Sequence, residues 1–187
     1  ASLYNNTTAS NNSAFGYQAL FANTTGDQNV AVGGAAVDAN TTGIRNTGLG
    51  FEALTSNTTG NNNTACGQTS LFNVTTGSGN VGVGYGAGDA ITTGTQNIMI
   101  GNQVDPGAAT DSYSIVISTD SDTGKGASTA FIAPNGGGVY QDNNTTAWAQ
   151  TSDARIKKNI IDNNIGLDVL KKIQVRNFEY RTVDEIV

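Results

Sequence analysis

The chain has 187 residues, of which 37% are hydrophobic, with 24 glycines, two prolines, one cysteine, no histidine and a formal net charge of −6. Residues 1–124 hold eight acids and a single base, Arg45, so the long first part lacks the basic stripe that a nucleic-acid partner requires. No apolar run approaches the roughly 18 residues of a membrane span, and the start carries no export-signal pattern, so membrane insertion is not expected.

Without histidine, imidazole acid–base and zinc chemistry are excluded, and no cofactor or metal is expected. Many glycines with few prolines argue for repeated tight turns and against a disordered linker.

Read in chain order, the opening residues already keep a period. Ser2-Leu3-Tyr4 and Asn6-Thr7-Thr8 match Ala19-Leu20-Phe21 and Asn23-Thr24-Thr25 at a shift of 17. The chain thus enters in mid-repeat, and the array is expected to extend upstream. Asn12, Asn29, Asn46, Asn63, Asn80 and Asn97 then follow at intervals of 17, each with a glycine four positions later, Gly16 to Gly101. Just before those glycines stand Phe15, Val32, Leu49, Cys66, Val83 and Ile100, an apolar slot that makes Cys66 a small core residue. A second apolar slot holds Leu20, Val37, Leu54 and Leu71, and a Thr-Thr-Gly triplet keeps the same beat from Thr24 to Gly94.

Seventeen residues are too few for a helical hairpin, and Asn, Thr and Gly are poor helix formers. The segments NVAVG and SIVIS alternate as short strands do. The expected fold is therefore mainly β, a parallel β-solenoid of 17-residue coils in which the two glycines turn the corners. Coils about 4.8 Å apart place equivalent residues over one another, so asparagines form an amide ladder and threonines a hydroxyl ladder. Each coil offers only two or three apolar side chains against the entropy of ordering its backbone, so several chains are expected to share a core.

The shaft covers residues 1–118. The beat is lost in residues 119–151, where Phe131-Ile132-Ala133 fit the start of a further coil, Pro134 ends it, and Val139-Tyr140 and Trp148 read as closing strands, with Trp148 as a packing residue. Residues 152–187 form a separate short α+β segment whose helix spans 166–173 with Leu167, Leu170 and Ile173 inward.

The unit NTACGQTSLFNVTTG resembles the head repeats of trimeric autotransporter adhesins, and is closer still to the repeat arrays of phage and viral fibre proteins. That resemblance covers about residues 1–118 and implies a left-handed parallel β-roll assembled as a homotrimer. TSDARIKKNI followed by GLDVLKKIQVRNFEYR resembles the start of the intramolecular chaperone domain of phage tailspikes and endosialidases. This second resemblance implies trimerisation by residues 152–187 and self-cleavage at Thr151–Ser152. Ser152 would be the nucleophile, Lys157 the general base and Asp153 a supporting carboxylate, a serine–lysine chemistry that works once desolvation lowers the lysine pKa. By spacing alone, Arg155, Lys157 and Lys158 read equally as solvated charges.

The expected role is a structural and host-recognition part of a virion or phage tail fibre, extracellular, with upstream fibre proteins and a host receptor, a glycan or surface protein, as partners. A bacterial trimeric surface adhesin head is the alternative. A glycan-degrading tailspike would need paired carboxylates in a cleft, and the acids here are scattered. An ice-binding array would need threonines at every second residue.

Overall fold

In the computed structural model the described residues are 1–134, 137–142 and 146–150. A strand opens at the residue after each repeated asparagine, β1 Ser13–Phe15, β2 Val30–Val32, β3 Thr47–Leu49, β4 Thr64–Cys66, β5 Val81–Val83 and β6 Ile98–Ile100, and then after Ser114 and Thr129, β7 Ile115–Ser118 and β8 Ala130–Ala133. Each pairs in parallel with the next, in a register of Ser13 on Val30, Val30 on Thr47 and onward by 17 to Ile115. The step from β7 to β8 shortens, with Ile115 opposite Ala130. Two antiparallel strands, β9 Val139–Gln141 and β10 Trp148–Gln150, then close the ten-stranded sheet in sequence order. No helix occurs among the described residues. The molecule is a parallel β-solenoid of 17-residue coils.

Strand parity decides what lies inside. Asn29 is buried, so the alternation of a strand turns Ala31 inward and Val30 and Val32 outward. The inward file reads Ala31, Gly48, Ala65, Gly82, Met99 and Val116, all buried, below the partly covered Ala14 of the first coil. Across from it sit Leu20, Val37, Leu54 and Leu71, fully buried as the sequence predicted. The roll is too flat for more. A Cβ added at Gly48 would lie 2.6 Å from Val37 Cγ2, and one at Gly82 would lie 2.9 Å from Leu71 Cγ. Where Gly88 takes the place of the leucine, Met99 and Ile91 fill the space, since a Cβ there would meet both as well as Leu71. Volume is conserved across the coil and redistributed among positions.

The apolar slot before the glycine is therefore corrected. Phe15, Val32, Leu49, Val83 and Ile100 are exposed on the single chain, and Cys66 in the same file is exposed too and is no core residue. They occupy the outer face of the strand because the inward positions opposite Val37, Leu54 and Leu71 leave room only for Ala or Gly, and the larger Met99 enters where Gly88 makes way for it.

The corners also differ from expectation. Gly16 and its repeats do sit in the left-handed region at φ near 139°, and a Cβ on Gly16 would collide with the Gly33 carbonyl. The glycine of Thr-Thr-Gly has no positive φ. It is required by close approach, since a Cβ on Gly26 would collide with the Gly43 carbonyl of the next coil. The remaining turns use ordinary residues in the left-handed region, including Leu20, Val37 and Leu54. Such conformations persist because coil-to-coil hydrogen bonds over-determine them, for example Leu20 N–H to Ala36 O at 3.0 Å and Val37 N–H to Ala53 O at 2.9 Å. The threonine ladder runs from hydroxyl to backbone: Thr24, Thr41 and Thr58 each donate to the carbonyl of the threonine one coil on, at 3.0–3.1 Å.

Candidate functional site

The repeated asparagines form one continuous internal file. Asn12 is partly covered, and Asn29, Asn46, Asn63, Asn80 and Asn97 are fully buried. Each Oδ1 accepts the backbone N–H of the next asparagine, as in Asn29 N–H to Asn12 at 2.8 Å and Asn97 N–H to Asn80 at 3.1 Å. Each Nδ2 donates to the carbonyl that ends the loop of its own coil, Gly43 for Asn29 and Gly77 for Asn63 at 2.9 Å. The amide thus satisfies polar backbone that the turn leaves inside the protein. Ser114 continues the file, its N–H donating to Asn97 Oδ1 at 2.9 Å. These residues hold the coils in register and present nothing to a ligand.

A second amide file went unnoticed in the sequence because it lies beside the threonines. Asn23 donates to Asn6, Asn40 to Asn23 and Asn57 to Asn40, side chain to side chain, at 2.8–3.0 Å. The file ends at Asn57, whose buried Oδ1 has no hydrogen-bond partner. Val74 stands where the next amide would be, and Ile91 follows it, so the interior changes there from amide to hydrocarbon.

The surface opposite to the asparagine file carries the candidate site. On every parallel strand from β2 to β8 two residues face outward, giving pairs such as Val30 with Val32, Val81 with Val83, Ile98 with Ile100 and Ile115 with Ile117. Adjacent pairs are register partners, so Val83 abuts Ile100 and Ile100 abuts Ile117. Ile132 extends the stripe onto β8. Seven strands at about 4.8 Å, three residues wide, give a face on the order of 340 Å², apolar at every outward position except Thr47 and Thr64. An apolar patch of this size is within the range of the largest found on single-chain proteins and is often functional; here it is also regular, one pair of outward residues per strand. It carries no charged residue from β2 to β8. A flat, rigid, uncharged sheet face is suited to meeting another flat apolar face, and has no group that could do covalent chemistry beyond the thiol of Cys66.

Acidic groups collect at the opposite end of the coil, where Asp89 neighbours Asp105. Burial pushes the Asp105 carboxyl up to about 6; the Ala90 N–H, donating to it at 2.9 Å, opposes the rise, and the charge and hydrogen bond of Asp89 add to it. Asp38 is raised by burial as well. Between pH 4 and pH 6, roughly, the folded chain therefore binds more protons than the unfolded one, and stability falls as pH rises through that window. The thermal midpoint should be higher at pH 4.5 than at pH 7. Asp105→Asn should raise the midpoint at pH 7 and flatten the profile; an unchanged profile would remove Asp105 as its source. Circular-dichroism melts across the range provide the check.

No family model matches this chain, and neither a curated protein nor a solved structure is significantly similar to it. Its fold is established by its own geometry. Ser152, Asp153 and Lys157, together with the helix expected over 166–173, lie outside the described residues. Trp148, expected to pack, is 52% exposed among the described residues.

Proposed function

We propose that the chain is a rod-forming structural section of a virion or phage tail fibre, and that three copies associate through the apolar strand face. The observation that carries this reading is the strip from Val30 to Ile132, which a solitary chain would leave in water along its whole length. Burying it also adds to the apolar area that each thin coil already encloses by itself. The shaft's uncharged strands and internal amide files suit a passive spacer, and its outer surface is the place for a host receptor. Residues 152–187 are assigned the role of a trimerisation chaperone on their resemblance to tailspike chaperones, with Ser152 as nucleophile, Lys157 as base and Asp153 as support for cleavage after Thr151.

Mass spectrometry of the full chain under native and denaturing conditions tests both parts. The native species should weigh three times the 19.2 kDa chain, and a single-chain mass would overturn the assembly. Under denaturing conditions any cleaved product should end at Thr151 and vanish in Ser152→Ala. Its persistence in that variant would remove the serine–lysine assignment.

A further inference from the structure

The turn after each strand carries a second outward file that the self-association surface does not use. It reads Tyr17, Gly34, Phe51, Gln68, Tyr85 and Asn102, aromatic in every other coil. The three rings are 72%, 53% and 50% exposed. Their backbones are fixed coil to coil. Ala35 N–H donates to Tyr17 O at 2.7 Å, Thr69 N–H to Phe51 O at 2.9 Å and Gln103 N–H to Tyr85 O at 2.7 Å. The intervening glycine gives room for a ring to lie back along the stack, since a Cβ on Gly34 would stand 3.3 Å from Phe51 Cδ2. The outcome is a row of half-exposed aromatic rings on a rigid support, spaced by two coils, about 9.6 Å.

We infer that Tyr17, Phe51 and Tyr85 form a linear platform for an extended, uncharged, β-linked polysaccharide. The spacing carries the assignment, because two coils match the rise of two sugar units in such a chain, and every second unit would place its apolar face on a ring. Aromatic rings offer broad contact at small entropic cost and leave sugar hydroxyls free to reach water or polar neighbours. Gln18, Glu52 and Gln103 follow the file by one position and supply those neighbours. Charge selects against anionic glycans, since residues 1–124 hold eight acids and only Arg45 as a base. The inference takes from the proposed function only that sister chains occupy the strand face, leaving the turns free.

Calorimetry on the assembled full chain, with cellohexaose and chitohexaose as probes, tests it. Maltohexaose, whose α-linkage coils it, and anionic heparin serve as comparisons. At least one β-linked probe should bind more tightly than both comparisons. Each Tyr17→Ser, Phe51→Ser or Tyr85→Ser change should weaken binding by about tenfold, and the triple variant should not bind detectably. Tyr17→Phe with Tyr85→Phe should retain it. The inference fails if neither β-linked probe binds, if heparin or maltohexaose binds more tightly, or if the triple serine variant binds undiminished. It fails as well if that variant loses its native mass, because the rings would then belong to the contact between chains. Native mass with lost sugar binding separates this inference from the assembly proposal.

Discussion

Glutamate at both Val83 and Ile100 is expected to leave the protein as single folded chains. These residues are register partners on adjacent strands, exposed on the isolated solenoid by 39% and 37%. In one chain the new carboxylates are solvated, and the inward neighbours Gly82 and Met99 are untouched, so the coil should form as before. Against a sister chain the same carboxylates would have to be desolvated without a cation opposite, at several kcal/mol each. That exceeds what a pair of partly exposed aliphatic side chains could return. Sedimentation should show the lower mass with an unaltered circular-dichroism spectrum. Glutamate at Thr25, exposed on the far side of the coil, should leave the mass unchanged. If the Val83/Ile100 variant stayed assembled while the Thr25 variant dissociated, the contact would lie on the threonine side.

The second large effect is expected inside a single coil. Asn63→Ala removes an amide that donates to Gly77 O at 2.9 Å and to Asn46 Oδ1 at 3.2 Å, and that accepts the Asn80 N–H at 2.9 Å. All of these lie at a fully buried position. Alanine leaves the Gly77 carbonyl and the Asn80 N–H enclosed without partners, at about 1–3 kcal/mol for each group. A total loss of about 3–5 kcal/mol is therefore expected from denaturant unfolding. Thr59→Ala, on the exposed file, should fall within about 0.5 kcal/mol of the parent. A small effect at Asn63 would mean that water reaches the file.

Periodicity and composition together made the coil legible, because a stack in register requires the same residue type every 17 positions. The buried leucine slot and the asparagine file follow from that directly. The orientation of the strand was legible too, but from a different residue than the apolar ones. A buried Asn29 makes Ala31 the inward residue by alternation, whereas ranking by hydrophobicity selects Val32. In a roll whose opposite wall carries Leu54 and Leu71, the space left is that of Ala or Gly, so larger side chains at this wall must turn out. The glycines of Thr-Thr-Gly misled in a similar way. Gly26 excludes a Cβ through crowding from the next coil, a contact that no local pattern encodes. The second amide file was hidden because Asn23 and its repeats precede two threonines and read as part of a turn. The end of that file at Val74 is visible in the sequence once the file is known.

Every rung between coils, from Ser13 N–H on Asn29 O to Ile98 N–H on Ser114 O, points along the axis of the stack. A pull applied at the two ends of the solenoid would therefore load one coil's bonds at a time, as in opening a zip, and would not shear many strands together. Each coil that peels away frees 17 residues, a jump of roughly 50 Å in extension. Under tension this solenoid would yield early and in equal steps, acting as a shock absorber, while a push along the same axis closes the rungs and is borne by the stack.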